Sequence, residues 1–412
     1  MRPIQRAGGE FEGKESYLIW EKAVERKKKA MKSTGFAKVK ELLTNRHQRV
    51  IELKQEGKKV LGYTCCFAPL EFFTALDIVP IRILGNPEEP PTQADLHMEQ
   101  SMCSFARSCF DLGMKGDYDY LDGFVMPHAC DIAPKMFEHW SFFKPDLFAY
   151  YVLVPHTDRP SSVEQFHSEL QRLKAALEEL AGSQLTDEKL VQAVQLHNEN
   201  RKLLRELYDL RKNDIPLISG TETKQVLLAC MSLPVQEANE LVRDVLKEVK
   251  ERPVKQKQKL PRIMVYGTPM NSDFIDLVEE CNANVVMDDI CIGSRYFWED
   301  VPLTKEPFQG LAERYLTKIK CPRLYRKMPG EYDYEKDLDY RFDFLKDFAE
   351  EWKADGIISY VMRYCDSHQF EVPDIRDYLT AKGYPLLILD GDYKLVTEQL
   401  KTRIQAFLEI IE

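Results

Sequence analysis

Nowhere does this sequence carry the uninterrupted apolar run of about 18 residues that would suggest a membrane span. Its opening stretch, MRPIQRAGGEFEGKESYLIW, holds no apolar signal core. The expectation is a soluble, cytoplasmic chain. Excess positive charge is missing too: 57 basic residues face 67 acidic ones, a formal net charge of −10. That balance offers no global attraction for nucleic acid or an anionic membrane, so neither is an expected partner. Close Cys-x-x-Cys pairs are absent, which removes the usual signature of structural zinc, and the cysteine spacings fit no ferredoxin run. Gly-rich phosphate-binding fingerprints are absent as well. The turn YGTPMNS could seat a phosphate at a helix start, but no ATP site is legible in the chain.

What is present is a chain of 412 residues, too long for one typical core, with 44% hydrophobic residues, 21 Phe and 19 Tyr. Residues 1–57 read as a charged helical segment that ends in KVKELLTNRHQRVIELKQEGKK, with apolar residues at helix-like spacing. From 58 to 160 the pattern alternates: KKVLGYT and VPIRIL read as strands around the short helix APLEFFTALDI. A helix through MEQSMCSFARSCFDLG and the strand DYLDGFVMP follow. Such alternation predicts a parallel α/β domain, whose ligands would sit beyond the carboxyl ends of the strands.

Residues 161–253 read as helices with a scaffold role, and RPVKQKQKLP reads as a linker. Strand and helix alternate again from 254 to 412, through RIMVYGTP, ANVVMDD, DGIISYVMRYCD, YPLLILD and a closing helix in KLVTEQLKTRIQAFLEII. LDGFVMPHACD in the first α/β part parallels ADGIISYVMRYCD in the second, each an Asp-Gly, an apolar strand and a terminal Cys-Asp. A repeat of whole domains follows. It would bring Cys365 toward Cys130.

Ten cysteines in a chain of this class are buried hydrophobes or do redox or metal chemistry. Cys65, Cys66, Cys103, Cys109 and Cys130 share a window of about 66 residues. Adjacent residues of an extended chain point to opposite sides, so Cys65 and Cys66 do not easily ligate neighbouring positions of one small centre. Cys103 and Cys109 diverge as well, since six residues of helix amount to about 9 Å and a rotation of roughly 600°. Packing thiols, a vicinal disulfide, zinc or an extended centre all remain open on spacing alone.

The segments GYTCCFAPLEFFTALDIVPIRI, MCSFARSCFDLG, DGFVMPHACD, NENRKLLRELYDLR, VVMDDICIGSRYF, ERYLTKIKCPRL, DGIISYVMRYCD and EQLKTRIQAFLEII together resemble the 2-hydroxyacyl-CoA dehydratase and benzoyl-CoA reductase family, in that family's order, from about residue 58 onward. The resemblance implies two Rossmann-like (flavodoxin-like) lobes with an iron–sulfur cluster between them. Three of its cysteines match Cys65, Cys103 and Cys130, and Cys365 matches the one after the C-terminal Asp-Gly strand. Electrons would come from a separate ATP-hydrolysing activator that carries its own [4Fe-4S] cluster. Cys66 and Cys109 depart from the common pattern and resemble the family's double-cubane branch, with a bridged [8Fe-9S] cluster that needs six thiolates, and a homodimeric assembly. Cys65, Cys66, Cys103, Cys109, Cys130 and Cys365 make six.

On this reading Cys321 rivals Cys365, while Cys230, Cys281 and Cys291 are core thiols. His128 is the candidate proton donor, and Glu71 is read as structural at a helix start. The expected function is ATP-driven, activator-dependent reduction of a small molecule. The alternatives are an acyl-CoA dehydratase or reductase subunit with one [4Fe-4S] cluster, and an electron-transfer protein without a substrate of its own.

Overall fold

Strands with no polar face determine this architecture. In the computed structural model, which describes residues 34–253, 258–268, 273–304 and 306–411, β2 (Ile78–Arg82) and β3 (Gly123–Pro127) are buried at every position, and β1 (Lys59–Tyr63) at all but its first. Strands covered on both faces belong to parallel sheets flanked by helices. The first sheet is parallel throughout and runs β2-β1-β3-β4, closed by β4 (Phe148–Val152), a strand not expected from sequence. The second runs β6-β5-β7-β8, from β5 (Arg262–Gly267), β6 (Asn284–Asp289), β7 (Gly356–Met362) and β8 (Leu386–Gly391). It is parallel as well. The two sheets share one strand order, the topology that a whole-domain repeat requires.

In each sheet the chain leaves the first strand toward one neighbour and returns on the other side. β1 is flanked by β2 and β3, and β5 by β6 and β7. Where strand order reverses, the loops at the carboxyl ends diverge and open a crevice. Cys65 and Cys66 follow β1, Cys130 lies three residues beyond β3, and Cys365 three residues beyond β7. Close strand packing sets the register below them. A Cβ on Gly123 would stand 2.1 Å from the Phe148 carbonyl oxygen, an overlap that backbone cannot absorb cheaply. Gly123→Ala is therefore expected to cost about 1–3 kcal/mol, read as a lowered thermal midpoint.

Four helices lie between the two sheets in sequence: Pro160–Ala181, Asp187–Asp209, Gly220–Cys230 and Val235–Glu251. The helix Asp187–Asp209 ties the lobes together. Its Arg201 donates to Glu71 at 2.5 Å and its His197 shares a 2.8 Å hydrogen bond with Thr74, both in the helix Leu70–Ala75 of the first lobe. Tyr208 donates to Asp288 of β6 at 2.7 Å. Its inner face therefore carries buried His197, Asn200 and Arg201, a polar seam where the sequence suggests only solvated charge. The lobes also meet at Tyr393, whose hydroxyl donates to the Gly85 carbonyl at 3.2 Å and whose N–H donates to Ser104 at 2.9 Å. Side chains of both sheets share one apolar cluster, with Phe124 and Met126 from one side and Ile358 and Met362 from the other.

Of the N-terminal segment, residues 1–33 lie outside the described residues, as do 254–257 of the expected linker and 269–272 of YGTPMNS. Among the described residues no helix is long and apolar enough to cross a membrane.

Candidate metal centre

Each thiol near the crevice is set by a strand end or a helix start. Cys103 caps the helix Ser104–Lys115, Cys130 stands just before Ile132–Phe143, and Cys365 caps Asp366–Ala381. To seat Cys365, the preceding Tyr364 takes a left-handed backbone at φ 62°, a conformation costly for a bulky side chain and concentrated at functional sites. The backbone N–H groups of Phe105 and Ala106 point at Cys103, those of Ile132 and Ala133 at Cys130, and that of His368 at Cys365. The N–H of Phe67 faces Cys65 and that of Arg323 faces Cys321. Unpaired N–H groups at helix starts and turns favour negative charge on the atom they surround.

Six thiols from the two lobes lie within range of one another's charge. Cys65 neighbours Cys130, and Cys130 neighbours Cys103. Cys103 neighbours Cys365, and Cys365 neighbours Cys291. Cys321 lies near Cys291 and Cys65, Cys291 also near Cys65, and Cys365 also near Cys130. Three members come from the first lobe and three from the second. Cys66 adjoins both Cys65 and Cys291, and its single S–H is shared between them, whereas Cys109 is fully buried and borders Cys103 alone among these six thiols. The thiols adjoin pairwise: among the described residues no three His, Cys, Asp or Glu side chains gather as a single metal ion would need.

Burial and hydrogen bonding divide these sulfurs. Burial pushes Cys130 and Cys321 up to about 12 and raises Cys103 and Cys365. The Cys66 S–H, with Arg295 and Arg82 nearby, holds Cys291 down at about 6, and it also lowers Cys65. Cys66 itself is driven upward by sharing that S–H. Arg295 approaches the Cys291 sulfur at 3.8 Å. Arg82 is 1% exposed beside Cys65 and Cys291, and its Nε and Nη1 have no hydrogen-bond partner among the described residues. A buried guanidinium with free donors can receive an anion. The donor set therefore fits an anionic, sulfide-rich group.

Sequence reasoning included Cys65, Cys103, Cys130 and Cys365, four of the six, and named Cys321 as a rival to Cys365; the structure brings both into the group. Cys291, read from sequence as a core thiol, is buried and also adjoins Cys66; VVMDDIC puts it just past a strand, by the same rule that flagged Cys65 and Cys130. His368, Arg82 and Arg295 were missed because a sulfur's partners across the fold leave no mark in local sequence. His128 lies on the Cys130 side with its ring 4.9 Å from His156 and 5.7 Å from Tyr151. Burial, Arg323 and His156 lower its pKa. Glu71 is wholly buried, receiving Arg201 and the Tyr315 hydroxyl at 2.8 Å.

Two parallel sheets of identical order, with thiols gathered at both switch points, define the class of protein. Over residues 65–411 the chain matches the 2-hydroxyglutaryl-CoA dehydratase D-component family, and it belongs to that family. It is 26% identical over 383 residues to the (R)-phenyllactyl-CoA dehydratase beta subunit of Clostridium sporogenes, covering 91% of this chain and 98% of the relative. To a benzoyl-CoA reductase subunit of Thauera aromatica it is 25% identical over 338 residues, 80% of this chain and 85% of the relative. The (R)-2-hydroxyglutaryl-CoA dehydratase beta subunit of Acidaminococcus fermentans is 25% identical over 362 residues, 86% of this chain and 93% of its own.

Proposed function

We propose that this protein is an iron–sulfur reductase that receives low-potential electrons from an ATP-hydrolysing activator protein and reduces a small molecule at a double-cubane [8Fe-9S] cluster. The observation that carries this reading is the gathering of six thiols within range of one another's charge, three from each lobe, served by backbone N–H groups and arginines. Two cubanes need six thiolates, and a centre of that length suits ligands arriving from two separate sheets. This grouping favours Cys65, Cys103 and Cys130 for one cubane and Cys291, Cys321 and Cys365 for the other. On this assignment Cys66 and Cys109, which the sequence counted as ligands, lie behind the ligands.

When bound, the group supplies storage and one-by-one release of low-potential electrons. The chain's own contribution is electrostatic and protective. Arg82, Arg295 and Arg323 offset negative charge in a site of low dielectric, and burial of the thiols excludes bulk water. Protons would enter on the Cys130 side, where His128, His156 and Tyr151 adjoin and the Tyr151 hydroxyl, buried and without a partner among the described residues, borders Cys130. His128 is the proposed carrier: its neutral imidazole can take a proton and hand it on.

The relatives' names support a second reading, an acyl-CoA dehydratase or reductase subunit with a single [4Fe-4S] cluster. One assay separates the two. With an ATP-hydrolysing activator as electron source, small reducible molecules are expected to be turned over while 2-hydroxyacyl-CoA and aromatic acyl-CoA esters are left intact. Turnover of the thioesters alone would reverse the assignment.

A further inference from the structure

Beside Cys365 lies a chain of buried polar side chains that the ligand set does not use. Asp289 accepts from Arg295 Nε at 3.0 Å through one carboxylate oxygen and from Nη2 at 2.8 Å through the other. The guanidinium is thereby fixed in plane, and its Nη1 also donates to the Gly267 carbonyl at 3.1 Å. That same Nη1 stands 2.9 Å from His368 Nε2, and His368 Nδ1 stands 3.3 Å from the Cys365 sulfur. Asp289, Arg295 and His368 are each at most 4% exposed.

One chemical fact orders this chain. A guanidinium has five N–H donors and no acceptor, so toward Arg295 His368 Nε2 offers its lone pair; the Gly267 carbonyl also faces the ring, but it already accepts from the same Arg295 Nη1. A neutral imidazole carries its single proton on the other nitrogen, which places an N–H on Nδ1, facing the Cys365 sulfur. The tautomer is therefore set from a distance, by a carboxylate that never touches the histidine. Among the described residues of the first lobe, the donors at the equivalent Cys130 are the backbone N–H groups of Ile132 and Ala133.

We infer that His368 is a positioning residue whose Nδ1–H, held in that tautomer by the Asp289–Arg295 pair, donates a hydrogen bond to Cys365 and makes the second-lobe side of the centre the more electron-accepting one. The inference rests on the reductase reading for its consequence, not for its geometry. A hydrogen bond to a ligating sulfur stabilises the more negative, reduced state. When one electron arrives from the activator, no bond in the relay forms or breaks, and the proton stays on Nδ1.

Two measurements test it, one of them independent of any cluster. Nitrogen-15 NMR of histidine-labelled protein is expected to show His368 protonated at Nδ1, and an Nε2–H ring would overturn the relay. On anaerobically prepared holoprotein, reductive titration compares His368→Gln with His368→Asn. The Gln amide reaches the Nε2 position and abandons Cys365, whereas the Asn amide replaces the Nδ1 donor. His368→Gln is expected to lower the reduced-to-oxidised ratio at fixed potential about tenfold, a shift of about 59 mV for one electron. His368→Asn should stay near the parent protein. Equal shifts in both variants, or none in either, would refute the donor role. A preparation that binds no iron would instead count against the reductase reading, with the tautomer spectrum still deciding the relay.

Discussion

Protein prepared without oxygen is expected to carry about eight irons and about nine acid-labile sulfides per chain. Cys→Ser substitution should then sort the thiols. Loss of Cys130 or Cys365, one from each lobe, is expected to remove about half of the iron. Cys291→Ser and Cys321→Ser should do the same, because both thiols lie among the six. Cys109→Ser should leave iron unchanged, since that thiol faces the core behind Cys103. Cys66→Ser should also keep its iron, and alter the centre only through the one S–H it shares between Cys65 and Cys291. About four irons, indifferent to Cys291 and Cys321, would leave a single cubane on Cys65, Cys103 and Cys130. Retained iron in Cys291→Ser together with loss in Cys66→Ser and Cys109→Ser would restore the ligand set suggested by sequence.

The second large effect concerns the seam that holds the lobes around the site. Glu71 is wholly buried, with Arg201 on one carboxylate oxygen and the Tyr315 hydroxyl on the other. Removing one member of a buried ion pair leaves the other charged without compensation, which costs about 3–5 kcal/mol. Glu71→Ala is thus expected to lower the unfolding midpoint sharply. Iron binding should fall with it, because Glu71 lies in the helix Leu70–Ala75 that follows Cys65 and Cys66. The pair also sets an acid limit. Although burial opposes its ionisation, the charges of Arg201, His197 and Arg314 hold Glu71 down at about 2, against 4.5 for an unperturbed carboxyl. Its contribution is therefore complete above about 4.5 and is lost as the pH falls from there toward 2. Thermal midpoints measured across that window should fall in the parent protein, and the part due to this pair should vanish in Glu71→Ala. An unchanged slope would show that other carboxylates govern acid unfolding.

Local residue pattern was enough to specify the parallel sheets, because strands buried on both faces need apolar residues at nearly every position, as in VLGY, GFVMP and GIISYVM. It also specified where thiols cluster along the chain, since Cys65, Cys130 and Cys365 each follow such a strand. β4 escaped notice because FAYYV is half-exposed along most of its length and carries no clean period. Which sulfurs face one another depends instead on how the lobes close. Cys291 and Cys321 are separated from Cys65 by more than two hundred residues of chain, and they reach it because the helix Asp187–Asp209 clamps β6 against the first lobe through Tyr208, Arg201 and His197. The tautomer of His368 depends on tertiary structure as well, in this case within the second lobe alone. Periodicity records what a segment buries, whereas a hydrogen bond from Arg295 to a histidine seventy-three positions away exists only once the parallel pairing of β6, β5 and β7 has brought their carboxyl ends together.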